Sequence, residues 1–115
     1  MMVVNIEEGF PTRDQACQKL DAALIRARKA GVSVVKVIHG YGSSGVGGVL
    51  RFAIRSYLRQ QKEQGAIVLF VNGEQLSSFE ERSKTLLAKA PELLLDPDLG
   101  RANKGITLVL LEKPF

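Results

Sequence analysis

Apolar and polar positions alternate along this chain in two rhythms, one close to two residues and one close to three and a half. Val3, Val4 and Ile6 form a short apolar entry, broken by Glu7, Glu8, Gly9 and Pro11, and predict a first strand followed by a turn. Thr12, with Gln15 three residues on, has the form of a capping box. Ala16, Leu20, Ala23, Leu24 and Ala27 then repeat at helical spacing until Gly31 supplies a stop. Val32, Val34, Val35, Val37 and Ile38 make a β-branched run that is too short for a helix and too continuous for a sheet with one wet face. That run predicts a central, parallel strand ending at His39.

Gly40, Gly42, Gly45, Gly47 and Gly48 crowd the interval between His39 and Leu50, so this interval reads as a loop. In the helix that follows, at 100° per residue, Leu50, Ala53, Ile54 and Tyr57 share one side. Arg51, Arg55, Arg59 and Lys62 fall within about 80° of one another on the other side, a core face and a basic stripe. Ala66 to Val71 predicts a third strand. Ser78 with Glu81 predicts the cap of a third helix that runs through Leu86, Leu87 and Ala90 to Pro91. After the turn-rich Asp96-Pro97-Asp98-Leu99-Gly100, Ile106 to Leu111 predicts the last strand. The order β-α-β-α-β-(α)-β predicts a compact two-layer α/β sandwich with a mostly parallel four-stranded sheet.

At 115 residues the chain fits one domain, 1–115, and its 45% hydrophobic and 24% charged content exclude a disordered or collagen-like protein. No apolar stretch approaches the ~20 residues of a membrane span, and no signal-like segment precedes Val3, so a cytoplasmic protein with no membrane partner is expected. Cys17, the only cysteine, excludes an internal disulfide or a cysteine zinc cage and is expected as a small core residue. The net charge of +4 is unevenly spread. Residues 1–64 hold ten basic and five acidic side chains, and residues 65–115 six and seven. From Arg26 to Lys62 there are eight basic residues, Lys36 among them, and no Asp or Glu, which points to an anionic partner.

Gly40-Tyr41-Gly42-Ser43-Ser44-Gly45 matches G-x-G-x-x-G between a strand and a helix. The chain nevertheless lacks the second mononucleotide half and the ribose-binding acid of a dinucleotide fold, and Gly48 stands where a P-loop needs Lys. What remains is a glycine loop whose N–H groups approach an anion at a helix N-terminus, with Arg51 and Arg55 flanking a phosphate. His39, the only histidine, sits at the C-terminal end of the central strand, where α/β sheets place ligands. There it would serve as general acid or base, or hydrogen-bond a phosphate. With a reference pKa of ~6.5, its phosphate affinity is expected to climb as pH falls from about 8 to 6. A right-handed crossover brings Glu7 and Glu8 to the same sheet edge, where a carboxylate would orient the imidazole.

The run Val37-Ile38-His39-Gly40-Tyr41-Gly42-Ser43-Ser44-Gly45, continuing through Gly48 to Leu50-Arg51, resembles the central signature of the small MutS-related (Smr) domain. Pro11-Thr12 with the first helix and the closing Lys104 to Val109 fall where that family has its first helix and last strand. The resemblance implies a fold similar to the C-terminal domain of bacterial translation initiation factor 3, binding DNA or RNA and in several members cleaving it. It assigns His39, Gly40, Gly42 and Gly45 to the family's His-Gly-Gly loop and Arg51 to its Leu-Arg pair. The chain departs where the family commonly has Leu-Asp-Leu-His-Gly. Here Val4-Asn5-Ile6-Glu7-Glu8-Gly9 puts Asn5 at the Asp and Glu7 at the His. Residues about 74–104, with an extra helix and loop, are a second departure.

The leading expectation is a nucleic-acid-binding domain, with structure-specific endonuclease hydrolysis of phosphodiesters as its finer form, in which His39 and Glu7 are the catalytic candidates. A divalent metal is implied if it is a nuclease. Gly40, Tyr41, Gly42, Ser43, Ser44, Gly45, Arg51, Arg55 and Arg59 are the candidates for phosphate contact. The competing readings are a non-catalytic protein-interaction module that uses the third helix and Leu93-Leu94-Leu95, and a small nucleotide-phosphate enzyme.

Overall fold

The capping box at Thr12 forms: its Oγ1 accepts from the Gln15 N–H at 3.2 Å and the Gln15 Oε1 accepts from the Thr12 N–H at 2.9 Å. From there the computed structural model, which describes residues 1–40 and 47–111, follows the predicted element order. Strand β1 (Met2–Asn5) leads to helix α1 (Arg13–Lys29), strand β2 (Val34–Ile38), helix α2 (Gly47–Glu63), strand β3 (Leu69–Asn72), helix α3 (Glu81–Lys89) and strand β4 (Ile106–Leu110). Single 3₁₀ turns at Gly73–Gln75 and Pro91–Leu95 flank α3. Helix α3 begins two residues later than a Ser78 cap requires. The Glu80 carboxylate accepts from the Ser83 N–H at 2.7 Å and is the actual cap, while Ser77 Oγ accepts from the Phe79 and Glu80 N–H groups.

The sheet order is β1-β2-β4-β3, with β1 parallel to β2 and β4 antiparallel to both of its neighbours. The sheet is therefore mixed, where a mostly parallel one was expected. The segment from Gly73 to Gly105 leaves β3 at one end of the sheet and returns at that same end, with Asn72 opposite Thr107, so the last strand enters antiparallel. Such a return needs no crossover. Hydrophobic periodicity specifies that a strand is there but not the direction in which it enters.

Alternate residues of each strand serve opposite faces. Val35, Val37 and Val109 pack with Leu20 and Leu24 of α1 and with Leu50, Ile54 and Leu58 of α2. Val34, Val71, Ile106, Leu108 and Leu110 pack with Leu76, Leu86 and Leu93 on the α3 side. The segment beyond residue 74 thus adds a partial third layer to the expected two. Each fully buried Leu or Ile in these layers contributes about 1.5–3 kcal/mol. The layer stops short of the edge strand, where Val3 is exposed. The Leu93-Leu94-Leu95 triplet divides, Leu93 into the core and its two neighbours onto the surface. Cys17 is half-buried and packs against the α1/α2 core.

Lys36 overturns part of the basic-window reading. It lies on the α3 face of β2, 7% exposed, with its ammonium 2.9 Å from Asp96 Oδ1 and 2.6 Å from Asp98 Oδ2. Burial pushes the Lys36 pKa down, but the hydrogen bonds to Asp98 and Asp96 outweigh it and hold the group above its ordinary value. Asn103 Nδ2 donates to Asp98 at 2.8 Å, and the Gly105 N–H donates to Asn103 Oδ1 at 2.8 Å. The cluster therefore fastens the 96–105 segment to the middle of the sheet. A charge that looked free in sequence has its nearer partner along the chain, Asp96, 60 residues away.

Candidate nucleic-acid interface

Because β1, β2 and β3 point the same way and β4 starts where they end, one sheet edge collects Glu7, His39-Gly40, Gly73-Glu74 and Gly105-Thr107. Helix α2, which begins at Gly47, brings Arg51 within electrostatic reach of His39 and Glu74 at this edge. The Ile6 N–H donates to the Ile38 carbonyl, and the N–H groups of His39 and Gly40 both donate to the Gly105 carbonyl, at 2.9 and 3.0 Å. Gly40 is required here twice over. Its φ is +75°, and a Cβ at this position would collide with the Glu7 carboxylate. The geometry places Glu7 beside the His-Gly corner. Glu8 stays exposed, its carbonyl accepting from Lys19 Nζ at 2.6 Å.

His39 is completely buried. Its Nδ1 lies 2.7 Å from the Gly40 carbonyl and its Nε2 2.9 Å from Thr107 Oγ1. A carbonyl only accepts, so Nδ1 carries the proton and Nε2 accepts from the Thr107 hydroxyl. Thr107 Oγ1 in turn accepts from Arg55 Nε at 3.3 Å. The guanidinium grips Glu74 through two bonds, Nη1 to Oε2 at 2.9 Å and Nη2 to Oε1 at 2.6 Å, and its Nη2 also reaches the Lys104 and Ile106 carbonyls. A continuous chain Glu74–Arg55–Thr107–His39–Gly40 thus lies under the site, with every proton directed.

This network corrects two expectations. Arg55, placed by sequence on a solvent-facing stripe beside a phosphate, is buried and already neutralised by Glu74. His39 does not present an ordinary imidazole to a phosphate. Burial, reinforced by the Arg55 and Arg51 charges against the opposing Gly40 bond and Glu74 charge, pushes its pKa down to about 4. The ring is neutral from pH 8 to 6, so phosphate affinity should stay level across the range where a climb was expected. Burial pushes the Glu74 carboxyl up, but its bonds to Arg55 prevail and hold it below the usual value.

The depressed pKa has a measurable counterpart in stability. Below pH 6.5 the unfolded chain protonates its histidine while the folded chain does not, so stability falls as pH drops from about 6.5 toward 4, by up to about 1.4 kcal/mol per pH unit. Urea melts between pH 7 and 5 check this. His39→Gln is expected to flatten the profile, and an equal slope in both proteins would contradict the buried neutral ring.

The remaining sequence candidates divide by position. Arg51, on the first turns of α2, is half-buried and stacks its guanidinium 4.7 Å from the Phe52 ring centroid. Its Nε is buried with no hydrogen-bond partner among the described residues, and its charge acts on both His39 and Glu74. Arg59 and Lys62 are exposed further along the helix, Arg59 about 12 Å beyond Arg51 at 1.5 Å per residue. Tyr41, Gly42, Ser43, Ser44 and Gly45 lie outside the described residues. Sequence reading missed Glu74 and Thr107, one in a segment of unassigned role and the other in an apolar strand; a Thr among Ile, Leu and Val was the only signal.

This edge defines a class, an α/β domain built on a buried histidine, a left-handed glycine and an arginine at the following helix. The model of the Smr domain family matches residues 9–75, more than half of the chain, and the protein belongs to that family. Among solved structures it is similar to the crystal structure of the Smr domain of Thermus thermophilus MutS2, at 27% identity and a TM-score of 0.61, covering 98% of this chain and 100% of that one. No curated protein matches it. No described helix is long and apolar enough to cross a membrane.

Proposed function

We propose that this protein binds DNA or RNA through the sugar-phosphate backbone at the edge that carries Gly40 and the first turns of α2. The observation that carries the reading is Arg51, a cation with a buried N–H unpartnered among the described residues, at the start of a helix whose first turn holds no acid. A phosphate oxygen supplies both the missing acceptor and the missing counter-charge. Arg59 and Lys62 extend the positive face along α2. The Glu74–Arg55–Thr107–His39 chain serves as the rigid support beneath it.

The test is a salt titration of binding to labelled single-stranded and branched DNA and RNA. Each phosphate contact contributes about 0.7–0.9 to the slope of log affinity against log salt, so Arg51→Ala should lower the slope by roughly that amount and weaken binding several-fold. Absence of binding at low salt overturns the reading.

Hydrolysis of the bound strand is the finer reading, and Glu7 favours it, since its carboxylate lies against Gly40. In this arrangement Glu7 is the better candidate for general base, because both ring nitrogens of His39 are engaged. Among the described residues no three His, Cys, Asp or Glu side chains converge as a metal cage. Glu7 would hold a divalent ion only together with substrate phosphates, and the ion would supply charge neutralisation there. Glu7→Gln should abolish any cleavage while leaving affinity within a few fold. Cleavage that survives Glu7→Gln removes Glu7 from that role.

A further inference from the structure

The second half of the chain carries slightly more acid than base, which directs attention to the first half as the source of positive charge. In three dimensions the acids of that second half, among the described residues, are engaged within the fold. Glu74 pairs with Arg55, Asp96 and Asp98 with Lys36, Glu80 with Arg82, Glu81 with Lys84 and Glu92 with the chain's amino terminus. Among the described residues, Arg101 and Lys104 have no acidic partner, and both are exposed. Lys36 offsets only one of Asp96 and Asp98, so Arg101 and Lys104 stand as two cations against one uncompensated carboxylate, which leaves this short loop net positive.

That loop is part of the site edge. The Lys104 carbonyl accepts from Arg55 Nη2, and the next carbonyl, that of Gly105, accepts from His39 and Gly40. The Asp98–Asn103–Gly105 hydrogen bonds fasten it from the other side. Its path is tightly specified. Ala102 holds φ at +55°, a conformation disfavoured for a residue with a Cβ, and the Asn103 carbonyl packs so closely on Gly73 that any side chain there would strike it. With Pro97, the loop borders an open depression of about 580 Å³ lined by Asp98, Arg101, Asn103 and Lys104.

We propose that Arg101 and Lys104 form a second phosphate-binding rim, so that a nucleic-acid strand held at Arg51 continues over the His39-Gly40 corner onto the 100–105 loop. This rests on the nucleic-acid reading above and adds to it residues that no charge count along the chain selects. Two cations on a rigid, hydrogen-bonded loop bind successive phosphates with less ordering cost than two on a flexible tail. The occupant is a polyanionic strand, because cations on two separate segments, the start of α2 and the 100–105 loop, are more than a single small phosphate needs.

The experiment compares two double variants that remove the same charge, Arg101→Ala/Lys104→Ala at the site edge and Arg26→Ala/Lys29→Ala in the exposed last turn of α1, at the opposite edge of the sheet. The probe is a fluorescein-labelled oligothymidylate, titrated across a salt series with the full chain. The loop variant should lower the salt slope by about 1.4, two single-strand contacts at ~0.7 each, with thermal melting unchanged. The distal variant should lower it by less than half as much. Equal slopes for the two variants overturn the rim even if Arg51→Ala still weakens binding, in which case the nucleic-acid reading stands without it. If the wild-type chain binds no oligonucleotide at low salt, both fall together.

Discussion

Lys36→Met is expected to lower the unfolding free energy by about 3–5 kcal/mol, the range for breaking a buried ion pair from one side. Methionine matches the length of the lysine stem and fills its channel, so little of the loss comes from packing. It comes from Asp96 and Asp98, whose carboxylates would face each other with no cation between them and with Asp96 only 9% exposed. Their hydrogen bonds to the Asp98 and Asn103 N–H groups remain but do not neutralise them. Adding Asp96→Asn and Asp98→Asn to Lys36→Met should recover most of the stability, since a neutral, hydrogen-bonded cluster is far cheaper to bury than an unpaired charge. Urea unfolding of the single and triple variants measures both halves, and a single variant as stable as wild type would show that the ion cluster contributes nothing.

Arg55→Ala should cost about 3 kcal/mol, at the low end of the same range because Glu74 keeps 30% of its side-chain surface in water. The substitution leaves Glu74, Thr107 and the Lys104 and Ile106 carbonyls without the donor they share. Arg55→Lys should rescue only part of the loss, because an ammonium does not reproduce the two-pronged grip on the carboxylate. Any fall in nucleic-acid affinity should accompany the fall in stability, with the salt slope kept near the wild-type value. That outcome separates Arg55 from Arg51, whose removal should change the slope and leave thermal melting nearly alone. A lowered slope with unchanged stability in Arg55→Ala would return this arginine to the phosphate-contacting face.

The two arginines sit one helical turn apart, and by sequence they are equivalent members of one stripe. Their separation depends on Glu74, which the 3₁₀ turn after β3 delivers beside Arg55. Helical periodicity specifies which side of α2 a residue occupies, but not what stands against that side. The same holds for Lys36, read as part of a basic window because its acidic partners are remote along the chain. Hydrophobic alternation alone would make it a wet-face residue or a break in the strand.

The sequence by itself determined the order of strands and helices, the α1 capping box, the two-sided pattern of α2 and the His-Gly corner with its following arginine. All of these rest on periodicity or on contacts within a few residues, where local geometry leaves few alternatives. The tertiary structure alone decided the antiparallel entry of β4, the cover on the second face of the sheet and the identity of the cations that remain unpaired among the described residues. Those depend on which distant segments meet. A charge is functional or structural according to its neighbours in space, and for Lys36, Arg55, Arg101 and Lys104 those neighbours are set by the 73–105 segment, whose route across the sheet no local pattern encodes.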